Sequence, residues 1–329
     1  MSPPPTYDCL IIGAGIAGLL AASSLQDAGW RVRVLDKGRG VGGRMATRRV
    51  DGGRMDHGAQ FFTVRSERFR GLVDAWIKAG VADEWARGFA DAQGIWSGDG
   101  YPRYRGIPGM TGIPKYLAHG LDIQLSHKVT CISWEDDRWL VHSEDDSRPL
   151  AAHHLISTAP VPQALDLLGA GGIIPREPAR TALEMLTYHP CLAILAVLDG
   201  PSGIPAPGGV QINGEPIIWL ADNTQKGISD RPTLTIHASP QFSARYWEDR
   251  ETGAEILLEE VSENWLTANV VESQVHGWKF AQPTQNYPQR YLFLNEPGPL
   301  VFAGDAFGEA RVEGAALSGL AAAEALFAR

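Results

Sequence analysis

The chain has 329 residues, 44% hydrophobic and 20% charged, with 37 glycines and 22 prolines. That balance excludes a disordered or collagen-like polypeptide and leaves apolar mass for one large or two medium domains, with two the expectation. The formal net charge of −9 argues against a nucleic-acid partner, although the cations are 23 Arg and only 6 Lys, an imbalance that permits anion sites without demonstrating one.

Cys9, Cys131 and Cys191 are too few and too scattered for a disulfide framework or a structural zinc site. Each lies in an apolar, strand-like run and is expected to be a buried thiol, so no metal site is predicted. Gly13, Gly15 and Gly18 interrupt the apolar run 9–25, and Ser23, Ser24 and Gln26 bring no cleavage pattern. Neither a signal peptide nor a membrane span is predicted, and a soluble cytoplasmic protein is the expectation.

In chain order, residues 7–12 read as a buried strand, followed by a Gly-rich turn, an Ala/Leu-rich helix to about Ala28 that Gly29 ends, and a second strand RVRVLD. That is a βαβ unit. Residues 37–60, dense in Gly and Arg, read as extended loop. Residues 66–79 form a helix candidate with Phe69, Leu72, Val73, Trp76 and Ile77 on one side. Between Leu121 and Ala159 the runs IQLSHKVTCISW, RWLVHSE and HHLISTAP suggest a β-meander, with Glu135-Asp136-Asp137 and Glu144-Asp145-Asp146 as solvated turns. A helix follows Pro160-Val-Pro162. Helices are expected at 177–187 and 251–268, and strands at CLAILAVL, PIIWLAD and TLTIHAS. LVFAGDAF then reads as a buried strand entering a Gly-Asp turn, and residues 312–328 as a small-residue helix. Nucleotide-binding style at both chain ends implies one discontinuous domain with a second inserted.

Gly13, Gly15 and Gly18 allow a tight turn, close backbone approach to a pyrophosphate and close helix–strand packing at a helix N-terminus. Asp36 ends the second strand, where a carboxylate accepts the adenosine ribose hydroxyls. The loop from Lys37 through Gly43 to Arg44 suits a flavin dinucleotide better than NAD, whose domains turn straight into another helix. Near the C-terminus, Gly304-Asp305 can bond a ribityl hydroxyl, and the helix starting near Val312 and Gly314 directs N–H groups at the flavin N1–C2=O edge. Arg48, Arg49 and Arg54 read as surface charges, with contact to substrate phosphates as the lesser alternative, and Trp76, Trp85 and Trp247 as core.

The ordered segments GAGIAG, DKGRGVGGRMATRR, DHGAQFFT, GIPGM, STAPVPQAL, ADN, TIHAS, GWKFAQP and FAGDAF…VEGAALSG resemble the renalase-like flavoenzymes, especially their bacterial branch, over nearly the whole chain. That family lies in the amine-oxidase-like FAD superfamily. The resemblance implies an α/β (α+β) fold: a Rossmann-like FAD-binding domain of the p-hydroxybenzoate hydroxylase/amine oxidase type with an inserted substrate domain on a mixed β-sheet. The expected division is 1–60, 120–165 and 285–329 for the FAD-binding domain and 61–119 and 166–284 for the substrate domain. The resemblance places Ile16, Leu35, Asp36, Arg44, Ala59, Gln60, Val129, Asp305 and Val312 on FAD-contacting positions. It places Phe61, Phe62, Thr63, Val64, Arg65, Cys191 and Ala306 on the substrate side, with His237 and Trp278 lining the pocket over the flavin. Bacterial relatives carry an aromatic directly after Gly-Asp, where this chain has Ala306 and then Phe307.

The implied activity is oxidation of dihydronicotinamide isomers, the 2-dihydro or 6-dihydro forms of NAD(P), by non-covalent FAD. Hydride passes to flavin N5 and the electrons to O2, giving NAD(P)+ and H2O2. No catalytic side chain is implied, because loss of hydride leaves an aromatic cation with no proton to remove. Amine oxidation is the first alternative. A carotenoid desaturase, which needs a long apolar tunnel, and a non-catalytic flavin- or nucleotide-binding protein are the others. Nothing in the sequence indicates the oligomeric state.

Overall fold

The computed structural model describes residues 6–144, 148–212 and 214–328. The chain divides into two compact units: Met1–Gly43, Pro114–Thr187 and Pro283–Arg329 in the first, Arg44–Ile113 and Tyr188–Gln282 in the second. The segment 44–60, expected with the FAD-binding domain, lies in the second unit. Asp145 and Asp146 of the expected acidic turn lie outside the described residues.

The first unit is built on an eight-stranded sheet. The Thr6–Ile12 strand runs parallel to both Val32–Leu35 and Leu150–Ser157, and Leu150–Ser157 runs parallel to Leu300–Phe302. Because both its faces are covered, Thr6–Ile12 is a nearly continuous apolar run rather than an alternating one. The helix Ile16–Asp27 ends at Ala28, followed by Gly29 at φ +87°. It packs against the C-terminal helix Val312–Phe327 through small residues: a Cβ on Gly319 would come within 2.1 Å of the Ala17 carbonyl oxygen. The core beneath these helices joins Ile11, Leu19, Leu25, Val34, Ile156, Val301 and Leu326.

The expected meander forms with one correction. Ile123–Gln124 is a separate short strand parallel to Val32–Leu35, and the antiparallel part begins only at Val129–Glu135. Arg138–Ser143 and Leu150–Ser157 complete that part. Asp136 and Asp137 are exposed at its first turn, with φ of +48° and +56°.

The second unit carries a seven-stranded mixed sheet, with Val270–Pro283 at one edge beside Tyr188–Leu198, then Thr233–Ala238, Ile217–Asp222 and Gly209–Gln211. Its core packs Leu192, Ile194, Leu220, Leu234 and Ile236 against Leu257 and Val261 of the helix Arg250–Asn264. That helix and Ala179–Glu184 of the first unit are both shorter than expected. The segment read as loop over 37–60 is more ordered than expected. After a 3-10 turn at Gly43–Met45, Thr47–Val50 and Gly53–Asp56 pair as a hairpin. Its inward side chains Val50 and Met55 bury against Leu195 and Val197.

The helix Glu67–Lys78 is capped by Ser66, whose hydroxyl accepts the Phe69 N–H. Phe69, Val73 and Trp76 form its buried stripe, whereas Ile77, expected on that stripe, is exposed. Of the tryptophans expected in the core, Trp76 is buried, and Trp85 and Trp247 are only partly so. Cys9 is buried, whereas Cys131 and Cys191 are partly buried, and all three are free. Among the described residues, no helix is long and apolar enough to cross a membrane, and no group of three His, Cys, Asp or Glu side chains could hold a metal ion.

Candidate functional site

In the first unit the loops that follow the strand ends gather around one stretch of backbone. Thr6–Ile12 delivers the chain into Gly13, which sits at φ +108° with its Cα facing the Thr158 hydroxyl, so any Cβ there would lie 2.4 Å from that oxygen. Thr158 Oγ1 donates toward the carbonyls of Ile12 and Gly13, at 3.0 and 3.1 Å. Gly18, one turn into the helix, leaves no room for a Cβ, which would fall 2.0 Å from the Gly13 carbonyl oxygen. Ile16 and Leu35 are buried on either side of this turn.

Asp36 follows Leu35 and accepts two backbone N–H groups at 2.6 Å each, from Ala14 at Oδ2 and from Gly38 at Oδ1. One carboxylate thereby fastens both glycine loops. Each of its oxygens has a second lone pair to offer. The loops also meet directly, Gly42 N–H donating to the Ala14 carbonyl at 2.8 Å. A Cβ at Gly15 or Gly40 would meet no atom within 4 Å, and one at Gly43 would meet only the Gly15 Cα, at 3.7 Å, so this backbone is open to a ligand. Lys37 is exposed. His127, two positions before Val129, donates its N–H to the Asp36 carbonyl at 2.9 Å, and Val129 opens the next strand.

Gly304 has φ +129°, and its N–H donates to Ser318 Oγ at 2.8 Å, which anchors the turn before Asp305. Asp305 is partly buried and its carbonyl accepts the Asn286 amide at 2.7 Å. Ala306 is buried, and Phe307, the nearest aromatic after Gly-Asp, packs edge-on against Tyr287. Val312 opens the 16-residue C-terminal helix, and Gly314 fits against the Glu309 carbonyl, which a Cβ would approach to 2.0 Å.

The second unit, taken by itself, holds a group of side chains rather than a backbone cradle. Arg44 Nη1 reaches the carbonyls of Phe280 and Ala281 at 3.4 and 3.3 Å, and its own carbonyl accepts the Ala59 N–H at 2.8 Å. Gln60 is buried. Its Nε2 donates to the carbonyls of Asp56 at 2.6 Å and Gly58 at 3.1 Å and lies 3.4 Å from His237 Nε2. Its Oε1 is a buried acceptor with no partner among the described residues. Since such an atom is costly to leave unpaired, it fits a ligand that offers an N–H.

His57 stacks on Trp278 with centroids 5.1 Å apart, and His276 meets both rings edge-on. Trp278 Nε1 donates to the His57 carbonyl at 2.7 Å. Burial lowers His57 to about 3, helped by His276 and the Arg48 charge. Burial likewise lowers His237 to about 4, and burial followed by Arg48 and Arg250 brings His276 to about 4. All three imidazoles are therefore neutral at physiological pH.

The buried carboxylates of this unit are committed. Asp56 Oδ2 accepts Lys226 Nζ at 2.6 Å with both side chains fully buried, and Oδ1 accepts the Thr47 hydroxyl and the Met110 N–H. Burial pulls the Lys226 ammonium down from its usual value while Asp56 opposes that shift. The ammonium also lies 5.0 Å from the Trp85 ring centroid. Asp222 accepts Ser202, Thr224 and Gln225.

Phe61 joins an aromatic group with Trp85, Phe89 and Trp219. Phe62 is enclosed by Phe69, Trp76 and Tyr104, so it carries its neighbours Phe61 and Thr63 rather than presenting a surface. Thr63 and Val64 are partly buried and Arg65 is exposed. Burial pushes the Cys191 thiol up to about 12, which makes it a poor nucleophile. Thr158, Asp56, Lys226, His57 and His276 escaped the sequence reading. His276 precedes Trp278 by two positions and so shares its strand face, the one signal that could have found it.

Residues 11–76 match the NAD(P)-binding Rossmann-like domain family, and residues 92–327, more than half of the chain, match the flavin containing amine oxidoreductase family. The chain is 32% identical over 77 residues to an L-amino acid dehydrogenase of Synechocystis sp., covering 23% of this chain and 16% of that protein. It is 40% identical over 67 residues to a putrescine oxidase of Kocuria rosea, covering 20% and 14%. These alignments thus span under a fifth of either relative. The fold is similar to that of a putrescine oxidase bound to putrescine, at TM-score 0.73 and 17% identity over 99% of this chain and 100% of that one. It is also similar to cyclohexylamine oxidase from Brevibacterium oxydans IH-35A, at TM-score 0.73 and 16% identity over 98% and 99%. The backbone-built dinucleotide cradle agrees with these matches, and the chain belongs to the flavin-containing amine oxidoreductase family of flavin-dependent oxidoreductases.

Proposed function

We propose that this chain is a renalase-like oxidase that binds FAD non-covalently and oxidises 2-dihydro or 6-dihydro NAD(P). The products are NAD(P)+ and H2O2, formed with uptake of one proton and one O2. Bound FAD supplies the two-electron acceptor and the reductant of O2. In this reading Gly13, Gly15, Gly18, Asp36, Gly43 and the Gly304-Asp305 turn hold the cofactor's phosphates and sugars.

The observation that carries the substrate is the uncharged ring group of the second unit. His57 and His276 are neutral beside Trp278, His237 is neutral next to His57, and the buried carboxylates Asp56 and Asp222 are already engaged. Such a surface accepts a neutral dihydropyridine and stacks on it, while it offers a substrate ammonium no free buried carboxylate. A dihydropyridine needs no base when it loses hydride, and imidazoles held near 3 to 4 are poor bases at neutral pH.

Family membership itself favours a second reading, amine oxidation. The two separate in aerobic turnover of the holoprotein, with H2O2 release measured against purified dihydroNAD isomers and against putrescine and simple primary amines. The proposal expects H2O2 with a dihydroNAD isomer and none with amines. Turnover of amines alone would replace it with the second reading.

A further inference from the structure

Two guanidinium groups in the second unit lack the counterions that such groups ordinarily have. Arg48 Nη2 lies 3.5 Å from His276 Nδ1, and Arg250 flanks the same imidazole from the start of its helix. Among the described residues neither pairs with a carboxylate. Asp249, next to Arg250, accepts the Thr252 N–H instead.

Arg250 is also held in place. Its guanidinium stacks 4.1 Å above the Trp247 ring, Nε donates to the Trp247 carbonyl at 3.0 Å, and Nη1 packs over Gly277, where a Cβ would lie 2.7 Å away. The remaining N–H groups of the fork therefore keep a fixed direction, which lowers the ordering cost of binding. Arg250 also stands in the first turn of a helix, where the dipole disfavours a cation. Arg48, Arg250, His276 and Trp247 are all partly buried, so their field is less screened than that of surface arginines. His276 between them is uncharged, with Nδ1 turned toward Arg48 and Nε2 left to carry the proton.

We propose that Arg48, Arg250 and His276 form an anion site that takes the phosphate or pyrophosphate oxygens of a nucleotide substrate. The proposal rests on the dihydronicotinamide reading above and adds the part of the substrate that this reading leaves without a partner. Planar forks suit phosphate because they donate two parallel N–H bonds at once. His276 adds one donor and joins this site to the Trp278 and His57 rings.

The test is calorimetric titration of the FAD-loaded protein with inorganic pyrophosphate. It compares wild type, Arg48→Gln, Arg250→Gln and, as a control, Arg49→Gln at the neighbouring exposed position. The expected result is binding to wild type and to Arg49→Gln and at least about tenfold weaker binding to the other two. Equal affinity in all four proteins, or no binding to wild type, overturns the site. Flavin content and melting temperature show whether each variant is folded. Where a Gln variant is not, Arg250→Lys takes its place, keeping the charge without the fork, with an intermediate affinity expected.

Turnover separates this site from the functional reading. With 2-dihydroNAD the Arg250→Gln variant should raise KM about tenfold at nearly constant kcat, and with the phosphate-free dihydronicotinamide riboside it should change neither. An equal effect on both substrates overturns the phosphate site while leaving the activity intact. If wild type oxidises neither, the functional reading fails and the pyrophosphate titration still decides the anion site.

Discussion

The candidate groups in the two units are built from different materials. In the first, glycines bring backbone into contact with backbone, and one carboxylate, Asp36, ties the loops by accepting two N–H groups. In the second, polar side chains do the equivalent work: the buried Lys226–Asp56 pair, the Gln60 amide, and the imidazoles of His57, His237 and His276. A backbone cradle tolerates changes in pH and fails when volume is added. A side-chain lattice tolerates little change in charge, because its ionisable members are held where burial opposes the charged form.

Added volume in the first unit should have the largest effect. Gly18→Ala places a Cβ 2.0 Å from the Gly13 carbonyl oxygen, where only backbone can give way. A loss of about 5 kcal/mol is expected, with loss of bound FAD. Chemical denaturation with flavin fluorescence reads both, and a variant that melts like wild type would break the comparison on this side.

Removing one charge in the second unit comes next. Lys226→Met leaves Asp56 buried without its cation, at a cost of about 3–5 kcal/mol. Adding Asp56→Asn should restore part of it, since the uncharged amide needs no counterion. A double variant no more stable than the single one would show that the pair matters through packing alone.

Acid provides a third and smaller test. His57 and His237 are lowered from 6.5 to about 3 and about 4, so below 6.5 the unfolded chain binds more protons than the folded one. Their stabilising contribution is complete above pH 6.5 and is lost progressively as pH falls toward those folded values. His276 adds less, because solvent screens it. Urea midpoints followed by tryptophan fluorescence from pH 7.5 to 4.5 should fall steadily, and a flat profile would contradict neutral buried imidazoles. Smallest is Trp278→Phe, which removes the N–H donated to the His57 carbonyl. It should cost about 1–2 kcal/mol and raise KM for the dihydropyridine, and an unchanged KM would detach Trp278 from substrate.

The same difference explains what could be read before the structure. The first unit's βαβ turn was legible because its requirements are local: Gly13, Gly15 and Gly18 stand at fixed spacing between an apolar strand and an Ala/Leu-rich helix, and Asp36 closes the next strand. Thr158 was not, because nothing near it in the chain shows that it will reach the Gly13 carbonyl. The hairpin Thr47–Asp56 was hidden by its arginines and glycines, since only Val50 and Met55 carry its inward apolar signal. The 14-residue strand Val270–Pro283 was hidden because it is a partly exposed edge with no clear alternation. Least legible was Lys226, a residue type expected at the surface, whose partner Asp56 lies 170 positions away.

The central claim is that the holoprotein oxidises a neutral dihydropyridine rather than an amine. Anaerobic titration of the holoprotein with separated dihydroNAD isomers tests it most directly. The account predicts stoichiometric loss of the oxidised-flavin visible band with the 2-dihydro or the 6-dihydro isomer and no loss with putrescine. A band that survives both isomers and bleaches with an amine would contradict it.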